Sequence, residues 1–494
     1  MPKFPNTLPY IALNRPVRIE ASIRNLEVEG TVPADVQGAF FRAVPDPAHA
    51  PLFDDDITLS ADGMIARFLF EGGQVDYDIK YVRTHRYEAE RKARRALYGQ
   101  YRNPFTDDAS VRDPSRPDLR TVANTTPVWH AGRLFMTKED GRPYEINPHT
   151  LETVGYWDYG SKLRSLTLTA HPRVDAATGE MFTYGYEAGG LATRDVAYCI
   201  IDPQGNLKSE QWFQAPYVAS IHDFCITQKY AIFPVYPTTA DLERMKAGGA
   251  HWAHQQDLDS WVGVMPRYGK VEEMRWFKGP KGVSAFHMTN AFDDGEKIHM
   301  DACLSETCAF PFMREAGGIQ KNQWEIQSAL TRWTIDMGRP GDGIESTPIG
   351  PPGDLPRIRD ADQGLPYGLV WLPTMNPQAK GPPLVGNVVG AAFNCLLRLD
   401  LATRRVDALA LEPGMAINEP VHVPSSKPGH GGWLLAVVDR EAARDYDSEL
   451  WIIDADNIAS PPVAKVKIPL PVRPQVHGSW VSAQQLAGSK VRPD

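Results

Sequence analysis

The chain has 494 residues, 42% of them hydrophobic and 23% charged, with a formal net charge of −9 at pH 7. That acidic balance excludes bulk electrostatic attraction to nucleic acid, and no uninterrupted apolar run of about 18 residues is present to span a membrane. The five cysteines, Cys199, Cys225, Cys303, Cys308 and Cys395, are odd in number and contain no CxxC pair, which points away from a disulfide framework and towards a reduced cytoplasm.

The N-terminal stretch "MPKFPNTLPYIALNRPVRIE" is broken by Pro2, Pro5 and Pro9, so no secretory signal is predicted. A helix is predicted over residues 86–101, "RYEAERKARRALYGQY", ended by Asn103-Pro104, with a basic face that reads as solvated. Short apolar runs of strand length follow: "LFMTKE", "MFTYGYE", "AYCIID" and "YAIFPVYP". A second helix is predicted over 238–249, with Thr238 as N-cap and Gly248-Gly249 at its end. Later come "WLLAVVD" and "LWIID". Turn chemistry such as "DAATGE", "DPQGN", "DDGEK" and "PGHGG" separates the runs and supplies hairpin positions. The pattern predicts an all-β sandwich, barrel or propeller. Helical patterns do not alternate with the strands, which disfavours a parallel α/β fold. Three Pro/Gly-rich stretches, 102–118, 338–366 and 376–386, read as long loops over one face of a single large β-domain.

Seven of the thirteen histidines (His49, His85, His130, His149, His299, His422 and His430) sit in polar or turn-like surroundings and read as structural. His251 and His254 form HxxH, which on a helix is half a zinc site, but no third ligand follows nearby. His171, His222, His287 and His477 each follow a small or apolar residue at the edge of a strand-like run. Singly, each reads as a core histidine satisfied by one hydrogen bond. Together they look like one residue projected inward from several repeated units. Four imidazoles suit Fe(II), Zn(II) or Cu(II) alike, and the spacings of 51, 65 and 190 residues match no short metal motif. Ligating imidazoles pass their second N–H to a carboxylate. Glu419 in "INEPVHV" and Glu139 in "MTKEDGRPYEI" are the acids in the most suitable settings.

The four histidines, with "TAHPRVDAATGEMFTYGY", "IHDFCITQKYAIFP", "NEPVHVP", "VHGSWV", "DGMIARFLFEGGQVDY" and "DLPRI", resemble the carotenoid cleavage oxygenase family over residues from about 15 to 482. The resemblance implies a seven-bladed β-propeller, one domain over 1–494 with an N-terminal extension of about 15 residues. It implies Fe(2+) on the axis, held by His171, His222, His287 and His477. It also implies three supporting carboxylates at Glu139, Glu419 and the first position of "DLPRI". The last is glutamate in the family and Asp354 here, one methylene shorter.

Within the family the chain is most similar to the bacterial lignostilbene and resveratrol cleaving branch, in "YGQYRNPFTDD" and "TKEDGRPYE". That likeness implies Tyr101 and Lys138 at the phenol of a 4-hydroxystilbene, where an ammonium favours phenolate and a hydroxyl shares the hydrogen bond. It places Leu59 where the branch carries an aromatic packed on the stilbene ring. Phe310, Phe312 and Trp480 are candidate tunnel aromatics, equally explained by core packing. Gly478 is expected to let the backbone pass close to the metal centre. Residues 239–260 are polar and make a poor interfacial helix, so a phenolic substrate fits better than a membrane-dissolved carotenoid.

The implied activity uses O2 to split the central C=C of a 4-hydroxystilbene into two aromatic aldehydes, with neither nucleic acid nor membrane as partner and with room for a homodimer. The alternatives are an apocarotenoid or other alkene cleaver with the same iron centre, and a non-catalytic propeller that binds a partner on its face. A zinc hydrolase is weaker, since hydrolytic zinc sites more often keep three protein ligands and an open position.

Overall fold

The computed structural model describes residues 3–308, 310, 313–317, 326–339, 343–386, 392–442 and 446–491. Seven antiparallel sheets are arranged as the blades of a propeller. Blade 1 pairs, from rim to axis, Ala21–Ile23, Gln74–Tyr81, Gly63–Glu71, Gly38–Pro45 and the late strand Gly478–Ser482. Blades 2 to 6 begin at the axis with Thr126–His130, Arg173–Val174, Cys225–Ile226, Ser284–Asp293 and Leu369–Thr374. Blade 7 begins with Met415–Ile417 and Val421–Val423, and it ends at the rim with the early strand Val28–Gly30 against Ala464–Ile468. The ring is therefore closed twice. The N-terminal segment completes the last blade, and the C-terminal segment completes the first.

Strand alternation explains where the core lies. Side chains on the two faces of each sheet meet those of the neighbouring blades, and seven apolar clusters occupy the seven interfaces. Phe68, Tyr77 and Leu435 join blades 1 and 7, for example, while Phe233, Tyr184 and Ile200 join blades 3 and 4. The apolar residues are used up between blades, so the strand starts at the axis are free to carry polar groups. An eighth, two-stranded sheet, Thr238–Ala240 with Trp252–His254, belongs to the covering loops.

Both predicted helices are shorter than expected. The first runs only over His85–Ala93, capped by Thr84, and ends where Arg94 turns left-handed at φ 57°. Glu90 then accepts the amides of Leu97 and Tyr98, and Asp107 accepts that of Gly99, so side-chain carboxylates replace the next helical turn. The second covers only Leu242–Lys246, with Asp241 rather than Thr238 as its cap, because Thr238 belongs to the small sheet. The 338–366 stretch also departs from a pure loop. It contains Ile344–Pro352, the rim strand of blade 5. Its three prolines are tolerated because an outermost strand has one edge without ladder partners. No helix among the described residues is long and apolar enough to cross a membrane.

Candidate metal centre and phenol site

His171, His222, His287 and His477 converge on the axis from blades 3, 4, 5 and 1. His171 precedes the first strand of blade 3, and His222 that of blade 4. His287 lies within the first strand of blade 5, and His477 directly precedes the closing strand of blade 1. Their candidate ligand atoms all lie within 4.8 Å of one another. The rings stand mostly edge to face, with centroids 4.7 Å apart for His171 and His477 and 4.9 Å for His287 and His477.

Three carboxylates fix three of the rings. Glu139 Oε2 lies 2.5 Å from His222 Nδ1, Asp354 Oδ1 2.9 Å from His287 Nδ1, and Glu419 Oε1 2.9 Å from His477 Nδ1. Each contact assigns the proton to Nδ1 and leaves Nε2 with a lone pair. Asp354 reaches its histidine in spite of its shorter side chain. Its amide bonds Pro373 O, its carboxylate also accepts the amide of Leu355, and Leu355 takes φ 56° to make the bend.

The fit to a metal ion is carried by orphaned atoms. Nε2 of His287 and Nε2 of His477 are buried and have no hydrogen-bond partner among the described residues. An unpaired buried nitrogen is costly, and a cation at the convergence point would satisfy both. His171 is held well below its ordinary pKa by burial and then by the other three histidines, and burial also lowers His477 against the opposing pull of Glu419. Burial pushes His287 down too, but Asp354 outweighs it and the net shift is upward. Glu139 is drawn down to about 2, because His222 and Arg102 overcome its burial. Imidazoles backed by carboxylates at Nδ1 are a donor set suited to a divalent transition metal.

A second cluster, His430 with Asp454 and Asp456, is more exposed, and His430 Nδ1 already accepts the Gly432 amide at 3.1 Å. The HxxH pair is not a metal site. It lies at a strand rather than on a helix, with His251 Nε2 bonded to Glu187 and His254 Nε2 to the Gly282 carbonyl.

Lys138 and Tyr101 sit beside Glu139. Lys138 Nζ lies 5.2 Å from the Tyr101 ring centre and donates to Asn124 Oδ1 at 3.2 Å. Asn124 is itself anchored by bonds to the Leu59 and Ala61 carbonyls. Leu59, Tyr101, Phe286 and Phe310 share one apolar cluster. Among the described residues, the Tyr101 hydroxyl is buried with no partner in hydrogen-bond geometry, and the Arg102 guanidinium acts on it by its charge. Burial, then Glu139 and Asp140, hold it well above 10, while burial lowers Lys138.

Phe286 is a site residue that sequence reasoning missed. Its ring stacks on His222 at 3.9 Å and on Phe310 at 4.6 Å. The available signal was its place directly before His287. Arg102 is another, joined to Glu187 at 2.6 Å and to the Tyr186 hydroxyl at 2.7 Å, with Glu139 3.9 Å away. Trp480 does not join the Phe286 group. It lines an axial cavity of about 540 Å³ together with His171, His287 and His477. Phe312 lies outside the described residues. Gly478 also has a different role from the one expected. A Cβ there would meet the Phe40 ring at 2.6 Å, so the glycine admits a blade-1 core ring rather than the metal centre.

Comparison with known proteins agrees with the fold. The model of the family described as retinal pigment epithelial membrane protein matches residues 14–482. The chain belongs to this family. It is 37% identical to the lignostilbene-alpha,beta-dioxygenase isozyme III of Sphingomonas paucimobilis, over 98% of this chain and 99% of that one. It is 38% identical to the isoeugenol monooxygenase of Pseudomonas nitroreducens, over 94% and 96%. The crystal structure of Pseudomonas brassicacearum lignostilbene dioxygenase superposes with a TM-score of 0.92 at 36% identity, covering 98% of this chain and 100% of that one. The family is that of the carotenoid cleavage oxygenases, as the motifs around the four histidines implied.

Proposed function

We propose that the chain is a non-heme Fe(II) dioxygenase that cleaves the central double bond of 4-hydroxystilbenes, R–CH=CH–R′ + O2 → R–CHO + R′–CHO. The observation that carries this reading is the pairing of two sites. Four convergent histidines, two with Nε2 atoms unpartnered among the described residues, lie next to a buried lysine and a half-buried tyrosine that border an apolar cluster. Iron, when bound, supplies a Lewis-acidic and redox-active centre for dioxygen.

The protein's own groups account for recognition. Among the described residues, Lys138 has one acceptor, Asn124, for its three donor positions. As an ammonium beside the phenol oxygen it favours the phenolate. Tyr101 keeps its proton and donates to the same oxygen. A phenolate conjugated with the alkene raises electron density at the carbons to be oxidised. Leu59, Phe286 and Phe310 provide apolar walls for the rings, and Phe286 abuts His222, so the wall and the metal centre share a boundary. Glu139, Asp354 and Glu419 act as positioning residues. All five cysteines are free and buried, in keeping with a cytoplasmic protein.

The relatives named isoeugenol monooxygenase favour a second reading, a phenol with a shorter propenyl chain. Both readings share the phenol and the conjugated alkene. Anaerobic purification with iron, then aldehyde analysis on a hydroxystilbene, a propenylphenol and an apocarotenal, tests the assignment. Preferred cleavage of the hydroxystilbene is expected. Preferred cleavage of the apocarotenal would contradict it, and absence of both iron and cleavage would favour a binding module.

A further inference from the structure

Three of the four histidine segments meet on one buried ion pair. Asp223 directly follows His222, and Arg173 stands two residues after His171. Arg173 Nη2 donates to Asp223 Oδ1 at 2.5 Å, and Arg173 Nε donates to the Phe224 carbonyl at 2.9 Å. The second oxygen of Asp223 accepts the amide of Met288, the residue after His287, at 2.9 Å. A further arm reaches the same strand. Arg173 Nη1 donates to Gln363 Oε1 at 3.2 Å, and Gln363 Nε2 donates to Asn290 Oδ1 at 3.0 Å. Backbone from blades 3, 4 and 5 is thus tied together next to the convergence point.

The local strand geometry serves this contact. Ser284–Asp293 is the first strand of blade 5, so its axial edge has no neighbouring strand within the sheet. Its register against Lys297–Ser305 breaks between Ala285 and Met288 and again between Met288 and Asn290. Bulges of this kind re-aim side chains and backbone groups. Here they bracket Met288, whose amide meets Asp223.

Stability alone does not explain a charged pair at this place. The side chains are 2% exposed for Asp223 and 13% for Arg173. Well-packed apolar residues often stabilise a buried site as well as an ion pair does. What the pair adds is a fixed distance between three backbone segments. The carboxylates Glu139, Asp354 and Glu419 orient rings through Nδ1, but none of them bonds His171. Among the described residues, the only side-chain hydrogen-bonding contact of the His171 ring is the 3.0 Å approach of its Nε2 to His222 Nε2.

We propose that Arg173 and Asp223 are positioning residues for the metal centre. They set the spacing of the segments that carry His171, His222 and His287, and through it the affinity and geometry of the bound ion. This rests on the reading of the four histidines as metal ligands.

The test is cobalt(II) titration of the metal-free protein, followed by visible absorption and thermal denaturation, for the parent, Arg173→Lys and Asp223→Asn. Asp78→Asn serves as the control, since Arg67–Asp78 is a comparably buried ion pair within blade 1. Outer partners of ligands typically contribute about 10- to 100-fold in affinity, so Arg173→Lys and Asp223→Asn are expected to bind cobalt that much more weakly, with a shifted absorption band. Asp78→Asn is expected to lose thermal stability and to keep the parent's affinity and spectrum. Arg173→Lys retains the charge, and it decides the comparison if Asp223→Asn does not fold. Parent-like affinity and spectrum in Arg173→Lys, or equal weakening in Asp78→Asn, would overturn the proposal. A parent that binds no cobalt would overturn the metal-centre reading itself, and the proposal with it.

Discussion

Glu419 holds His477 from two directions at once. One carboxylate oxygen lies 2.9 Å from His477 Nδ1, and the other accepts the Gly478 amide at 2.9 Å. The same segment is bound to the histidine's other side, where Gln475 N donates to Asn418 Oδ1. Blade 7 therefore sets both the backbone and the ring of a ligand that belongs to blade 1.

An amide at position 419 presents one acceptor and one donor to two N–H groups. Glu419→Gln is expected to lower metal affinity about 10- to 100-fold, the usual effect of losing a partner that orients a ligand. Metal titration of the variant checks this. Unchanged affinity would show that His477 is placed by its backbone alone.

Tyr101 separates function from stability. Its hydroxyl is buried without a partner among the described residues, and an unsatisfied buried hydroxyl costs about 1–3 kcal/mol. Tyr101→Phe is expected to be as stable as the parent or more so, while turnover of a 4-hydroxystilbene falls. Thermal denaturation beside an aldehyde assay reads both. A destabilised variant would mean that the hydroxyl is satisfied within the protein.

Lys138→Met removes the ammonium and keeps much of the side-chain volume. Turnover of a 4-hydroxystilbene is expected to drop about 100-fold or more, the scale of losing a positioned group that assists ionisation, with metal content unchanged. Asn124→Leu, which removes the one acceptor of Lys138 among the described residues, is expected to lower turnover of the same substrate. Loss of metal in either variant would instead place the pair in the metal centre.

Glu139 gives a pH signature. Its pKa is drawn from 4.5 to about 2, with burial opposing and His222 and then Arg102 prevailing. A folded-state value below the unfolded one means that the unfolded chain binds the proton more readily. The stabilisation is thus fully present above pH about 4.5 and is lost as pH falls towards 2. Denaturant titrations of the parent and Glu139→Gln at several pH values should show a gap that closes across that window. A gap independent of pH would assign the effect to packing.

The parts of the site that were legible in the sequence share a cause. His171, His222, His287, His477, Glu139 and Glu419 each sit in a recognisable local string, and the structure brings all six together. The propeller was legible through short strands and turns, but its blade number came from family likeness. What escaped depended on contacts between distant segments. Phe286 reads as an ordinary strand residue until His222 is placed against it. The helix ended early because Glu90 turned back onto the amides of Leu97 and Tyr98, which local propensity does not reveal. The C-terminal stretch also means more than its histidine. Deleting it removes Gly478–Ser482, the strand that closes blade 1, so such a truncation is expected to open the ring as well as to release the metal.

The most direct test of the central claim is cleavage of a 4-hydroxystilbene by the iron-loaded protein under isotopically labelled dioxygen, read by mass spectrometry of the two aldehydes with exchange into water suppressed. The account predicts equal amounts of both aldehydes, each carrying one labelled oxygen. Label confined to one aldehyde, or no aldehyde from iron-loaded protein, would contradict it.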